Sequence, residues 1–179
     1  MGSIIDRRRI KKETYCKDAI RYAIRKALRK TKKTSQALSC RKILKLTTCW
    51  PRFIGCFSEK VLSSLKFFTK PVFLMVHIGD QTGHWIALGI FPDKIEIFDP
   101  LGFKIFDWPS VPCALLNFLH TNSTNKKLVV AGKVQPNYSH LCGFYCLLYI
   151  YKRSTLTMSQ IESLLSDLKT NDTTLASLF

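Results

Sequence analysis

Residues 143–151 read Gly-Phe-Tyr-Cys-Leu-Leu-Tyr-Ile-Tyr, an unbroken apolar run. A helix that is apolar on every side has no face to give to water, so it must lie inside a core. The rest of the chain has to wrap it. The stretch just upstream, Gln135-Pro136-Asn137-Tyr138-Ser139-His140-Leu141-Cys142-Gly143, is polar and turn-rich. It delivers a cysteine to the point where loop becomes buried helix. A thiol there sees the unpaired amides of the helix start, which favour its thiolate form. Gln135 lies seven residues upstream of Cys142, where a loop can fold it back beside the sulfur.

A chain of 179 residues with 46% apolar and 12% aromatic content predicts one domain with a sizeable core, plus an extension. No apolar run approaches the roughly 18–20 residues of a membrane span, and no membrane partner is expected. The charged N-terminus lacks the apolar stretch of a secretory signal, so an intracellular location is expected. The seven cysteines contain no Cys-x-x-Cys pair and are expected to be free thiols in a reducing compartment. His140-x-Cys142-x3-Cys146 offers too few donors for a structural zinc, which takes four. Neither a metal nor a small-molecule cofactor is expected.

Charge is distributed unevenly. The net charge is +16, and residues 1–45 contribute +13 of it, from 16 Lys/Arg against Asp6, Glu13 and Asp18. Residues 1–39 are therefore separated as a basic N-terminal arm and amphipathic helix, with the folded domain at 40–179. Arg7, Arg8, Arg9, Lys11 and Lys12 read as a basic, disordered arm. Over 13–30, Cys16, Ala19, Ile20, Ala23, Ile24, Ala27 and Leu28 form a helical stripe, with Arg21, Arg25, Lys26 and Arg29 largely opposite. These cations are candidate DNA contacts. The competing readings are a solvated helix with a localisation role, and a membrane-surface helix disfavoured by its Ala-rich face. Residues 30–39 read as a linker.

In the domain, short helices are predicted over 41–48 and within 58–68, flanking an aromatic turn at Trp50–Phe57. Strands are predicted at 71–78, 84–91 and 94–99. A two-residue Pro92-Asp93 turn would pair Phe91 with Lys94 and Ile86 with Asp99. His84 and Asp99 then become diagonal neighbours at the open end of the hairpin. A helix over 111–120, a strand near 128–134, the buried helix and a last helix at 158–168 complete the pattern, with 170–179 loosely held.

A cysteine nucleophile needs a base, a group to orient that base, and oxyanion donors. Cys142 with its own backbone amide, His84 as base, Asp99 as orienting acid and Gln135 as second oxyanion donor fill these roles. The plain readings are a core cysteine and a turn aspartate. Cys49, Cys113 and Cys146 are expected to be small core residues. His77 and His120 read as structural, and His140 is too close in sequence to face the sulfur well.

Gly83-His84-Trp85, then Phe98-Asp99-Pro100-Leu101-Gly102-Phe103, then Gln135-x3-Ser139-x2-Cys142-Gly143, together with Pro51–Phe57, resemble the adenain family of adenovirus maturation proteases. That family falls in a cysteine peptidase group with the SUMO-specific Ulp proteases, and the order His, acid, Gln, Cys is the group's. The resemblance covers about 46–155. It implies an α+β fold in which a central mixed sheet carries the His/Asp hairpin and packs on a helix headed by the catalytic cysteine. It also implies cleavage of viral precursor proteins at Gly-rich sites by a monomer in the virion and host nucleus. DNA and a short basic peptide are the implied activators. The chain departs from adenain in having Asp99 for a glutamate, a shorter C-terminal part and an added basic helix. It also has no cysteine shortly before Gln135. The alternatives are a Ulp-like deSUMOylating or deubiquitinating protease and a non-catalytic DNA-binding virion protein.

Overall fold

The computed structural model describes residues 4–29, 38–65, 70–79, 83–103 and 112–179. The apolar, β-branched runs form a five-stranded sheet in the order β1 (Phe53–Ser58), β2 (Val72–Ile78), β3 (His84–Ile90), β4 (Lys94–Phe98) and β5 (Lys127–Val130). The central β2–β3–β4 meander is antiparallel, while β1 and β5 join it in parallel, so the sheet is mixed. Trp50–Phe57 was expected to be a turn. Its second half is instead edge strand β1, because Phe53–Ser58 finds a parallel partner across β2, beyond the reach of a local pattern.

Alternation along the strands divides the core in two. Phe73, Met75, Trp85, Ala87 and Phe98 face α4 (Cys142–Lys152). Leu74, Val76, Ile86, Leu88, Ile90, Ile95 and Ile97 face α3 (Cys113–Asn122) and the 3-10 helix Glu59–Ser64. Phe144–Tyr149 of α4 are all buried, as an all-round apolar helix must be. Tyr149 stacks on Phe98 at 4.7 Å and donates its hydroxyl to Glu96 at 2.8 Å. Glu96 is 1% exposed and accepts from Arg153 Nε at 2.7 Å and Nη2 at 2.9 Å, with Lys94 Nζ at 2.9 Å. Burial opposes the Glu96 charge most strongly, but Arg153, Lys94 and Tyr149 outweigh it and hold the carboxyl below its ordinary value. This knot fixes the far end of α4 to the sheet.

Several expectations are corrected. The N-terminal segment is not a disordered arm, since α1 runs over Ile4–Leu28. Its stripe is as expected: Cys16, Ile20, Ala23 and Ile24 are buried, the last three in the same cluster as α4. Residues 30–37 of the expected linker lie outside the described residues. α2 (Cys40–Leu46) is capped by the Ser39 hydroxyl. Cys40 and Cys56 are not free thiols but form a disulfide, brought together by the packing of α2 against β1 with Cα atoms 5.8 Å apart. Cys113 is exposed rather than core, because it starts α3 at the helix surface. After α5 (Met158–Leu164), the C-terminal residues are held, not loose. In and after α6 (Asn171–Leu175), Asn171, Leu175 and Phe179 are buried, and the Asn171 amide donates to the carbonyls of Val134 and Leu165, each at 2.7 Å.

Candidate active site

The hairpin takes the register expected of its two-residue turn. Phe91 N donates to Lys94 O at 2.9 Å, and Ala87 pairs with Phe98, Leu88 with Ile97 and Ile90 with Ile95. Continuing that ladder sets Ile86 across from Asp99, with His84 on the diagonal. His84 Nε2 donates to Asp99 Oδ1 at 2.7 Å. Asp99 is 1% exposed, and its Oδ1 also accepts the Leu101 amide at 2.9 Å. This Asx turn explains Asp99-Pro100-Leu101-Gly102. The carboxylate is aimed by its own loop, which closes through Gly102 N to Asp99 O at 2.9 Å with Gly102 at φ +70°. A side chain at Gly102 would also collide with the Lys133 backbone.

The same turn fixes Gln135. Pro100 O accepts the amides of Val134 at 3.0 Å and Gln135 at 2.7 Å. The Gln135 side chain is 2% exposed, and its Nε2 donates to Ser139 O at 2.9 Å. That carbonyl settles the orientation of the amide, since a flipped group would set oxygen against oxygen. One of the two Nε2 protons is used there, and the second is left for another acceptor.

Cys142, 7% exposed, opens α4, whose first amides have no carbonyl partner within the helix. One turn on, the buried Cys146 thiol donates to Trp85 O at 3.3 Å, tying α4 to β3 beside His84. Trp85 Nε1 donates to Leu38 O at 2.7 Å. A β-carbon at Gly143 would lie 3.0 Å from Leu38 Cβ and 3.3 Å from Trp85 Cδ1, so a side chain there would require Leu38 and Trp85 to give way slightly.

The electrostatics follow from the contacts. Burial is the largest influence on His84 and works against its charge. Hydrogen bonds to Asp99 and Cys142 and the charges of both outweigh it, raising the imidazole pKa to about 9. His84 is therefore an imidazolium at neutral pH. With Nε2 held by Asp99, Nδ1 is the ring nitrogen left for Cys142. Burial first, then the neighbouring Cys142 and Asp99, push the Cys146 thiol far up, so it stays a neutral donor.

His84 of β3 thus meets Asp99 in the loop after β4 and lies beside Cys142 at the head of α4, while the backbone of Gln135 is held by Pro100 next to Asp99. His140 and His120 are exposed, and His77 packs edge-on against Trp85 with ring centroids 4.8 Å apart. Among the candidate DNA contacts, Lys12, Arg25, Lys26 and Arg29 are exposed, and Arg21 is half-buried and paired with Asp18 at 3.3 Å. The side chains of Arg7, Arg8, Arg9 and Lys11 lie outside the described residues. Among the described residues no cluster of three or more His, Cys, Asp or Glu side chains could hold a metal ion. None of their helices is long and apolar enough to cross a membrane. Sequence reasoning missed the supports from the C-terminal segment. Asn171-Asp172 carries no local signal, since all its side-chain partners except Leu165 lie more than twenty residues away.

Among solved structures, the chain is similar to the ASFV pS273R protease at 16% identity and a TM-score of 0.52, covering 80% of this chain and 67% of that one. The chain has a Ulp-like cysteine protease fold. A weaker similarity, 17% identity and TM-score 0.37 over 70% of this chain and 81% of that one, is to the central domain of the uncharacterized Lpg1148 protein from Legionella pneumophila. No protein-family model matches the chain, and no curated protein does. The α+β expectation is met, with a mixed sheet packed on a buried helix.

Proposed function

We propose that the chain is a cysteine endopeptidase with Cys142 as nucleophile, His84 as acid–base, Asp99 as the group orienting His84, and Gln135 with the Cys142 amide as oxyanion donors. The observation that carries this reading is the His84–Asp99 hydrogen bond of 2.7 Å beside a cysteine that heads a buried helix. The Cys142 sulfur, its proton already on His84, adds to the carbonyl carbon of the scissile amide. The oxyanion is met by Gln135 Nε2 and the Cys142 amide. The C–N bond then breaks, the departing amine takes the proton from His84, and a thioester remains. Water attacks the thioester, gives a proton to His84, and the sulfur leaves as thiolate.

The substrates we propose are viral precursor proteins cut at Gly-rich sites, which rests on the adenain resemblance and agrees with a viral protease as structural neighbour. A monomer working in the virion and host nucleus goes with it. The competing reading is a Ulp-like deSUMOylating or deubiquitinating protease, favoured by the acid being Asp99. DNA is the proposed polyanionic partner and activator, with a basic peptide as a second activator. The cations of α1 support this: Arg25, Lys26 and Arg29 with Tyr22 line a shallow depression of about 500 Å³.

The test is turnover of Gly-Gly-type peptides and of SUMO and ubiquitin adducts by wild type and Cys142→Ala, with and without DNA. Peptide cleavage lost in Cys142→Ala supports the reading. Equal rates in the two proteins refute it, and preferential adduct cleavage transfers it to the Ulp-like class. The DNA arm uses Arg25→Glu, Lys26→Glu and Arg29→Glu together rather than deletion of α1, because Ile20 and Ile24 of that helix are fully buried. Unchanged DNA affinity in that variant removes DNA from the account.

A further inference from the structure

A partly buried polar link lies beside the core, and the proposed reaction does not use it. Ser139 Oγ donates to Asp172 Oδ1 at 2.8 Å, and Tyr145 OH donates to the same oxygen at 2.8 Å. Ser139 Oγ in turn accepts the Leu141 amide at 3.2 Å. The serine hydroxyl has one proton and spends it on Asp172, leaving a lone pair for Leu141, so both of its contacts are oriented by the carboxylate. The Ser139 carbonyl is also the acceptor that holds Gln135 Nε2 at 2.9 Å. Tyr145 lies one turn into the helix that Cys142 begins. Burial first, and the Asp172 carboxylate second, push its phenol well above the ordinary value, which keeps it a donor. Next to Asp172, Asn171 Nδ2 donates to Val134 O at 2.7 Å, immediately before Gln135. Adjacent residues of α6 therefore grip the chain just before Gln135, at Ser139 within the loop and at Tyr145 just beyond Cys142.

We infer that Asp172 is a positioning residue for the oxyanion site. It fixes Ser139 against Tyr145, and Ser139 fixes the Gln135 amide relative to the Cys142 sulfur. The inference rests on the protease reading above. The His84–Asp99 pair stands on β3 and the loop after β4, so Asp172 acts on oxyanion stabilisation and not on the charge state of His84. The two effects separate in the assay. Peptide hydrolysis passes through an oxyanion, whereas alkylation of Cys142 by iodoacetamide displaces iodide at a saturated carbon and forms none.

The full-length chain is tested as wild type, Asp172→Ala, Asp172→Asn, Ser139→Ala, Gln135→Ala and Asp172→Ala/Gln135→Ala. Asp172→Ala is expected to lower kcat by roughly 10- to 100-fold, with KM within about threefold. That falls short of or near the roughly 10²–10³-fold cost of removing an oxyanion donor outright. The Cys142 alkylation rate stays within about twofold. Asp172→Asn retains most of the activity, because its side-chain carbonyl still accepts from Ser139 and Tyr145. In the Gln135→Ala background, Asp172→Ala costs about twofold or less, since the group it positions is gone. If Asp172→Ala does not fold, Ser139→Ala carries the same expectation: lower kcat with alkylation intact. Unchanged kcat, effects that multiply across the two sites, or kcat and alkylation falling together overturn the inference. Absence of wild-type turnover overturns it together with the protease reading, whereas normal wild-type turnover with any of the preceding results overturns the inference alone.

Discussion

Replacing Asp99 by asparagine keeps the shape of the acid and removes its charge. The Asp99→Asn side-chain carbonyl still accepts from His84 Nε2, so the geometry survives. In the wild type the imidazole pKa is raised from 6.5 to about 9, which at about 1.36 kcal/mol per unit is ~3 kcal/mol favouring the charged ring. Burial opposes that charge, and Asp99 is the first of the groups that outweigh it. Without the carboxylate the ring is expected to return to 6.5 or below. At pH 8 a group of pKa about 9 is roughly 90% protonated and one of about 6.5 roughly 3%, so kcat/KM there falls about 30-fold from this cause alone. The assay is kcat/KM from pH 5 to 10. In Asp99→Asn the alkaline limb moves from near 9 to near 6.5, and the His84 Cε1 proton signal follows it by NMR. A rate loss uniform across pH, with the limb still near 9, would refute the electrostatic role given to Asp99.

Three further outcomes follow from other parts of the structure. Arg153→Met strips the buried Glu96 of its two guanidinium bonds at 2.7 and 2.9 Å and is expected to cost about 3–5 kcal/mol in urea unfolding. Adding Glu96→Gln to that variant should restore part of the loss. Because the folded pKa of His84 lies above its unfolded value, its contribution is complete below about pH 6.5 and is lost as pH rises through about 9. The stability difference between wild type and His84→Ala should thus shrink by up to ~3 kcal/mol across that window. Reduction of Cys40–Cys56, or Cys40→Ser, opens a loop with a sequence separation of 16 and is expected to lower stability by about 3 kcal/mol, read as a shift of the urea midpoint.

The sheet meander and the His84–Asp99 hairpin were legible because their information is local. Alternation gives the faces, the run 143–151 gives the buried helix, and a two-residue turn fixes the register that brings His84 to Asp99. What the sequence withheld depends on partners far along the chain. Phe53–Ser58 reads as a turn until β2 gives it a parallel neighbour. Cys40 and Cys56 show no paired spacing, and only the packing of α2 on β1 joins them. Residues 170–179 look polar and loose, yet the two amide bonds of Asn171 hold them to Val134 and Leu165. The basic charge of α1 was visible, whereas its start at Ile4 was hidden by the density of Arg and Lys.

The central claim is that Cys142 is an activated nucleophile because His84 stands beside it as an imidazolium. Iodoacetamide labelling at pH 6, resolved by peptide mass spectrometry, compares it with Cys113 in the same molecule. Cys113 is exposed and Cys142 only 7% exposed, so accessibility alone would favour Cys113. The account expects Cys142 to label faster, and expects His84→Ala to abolish that advantage. Faster labelling of Cys113 in the wild type, or an advantage for Cys142 that survives His84→Ala, would contradict it.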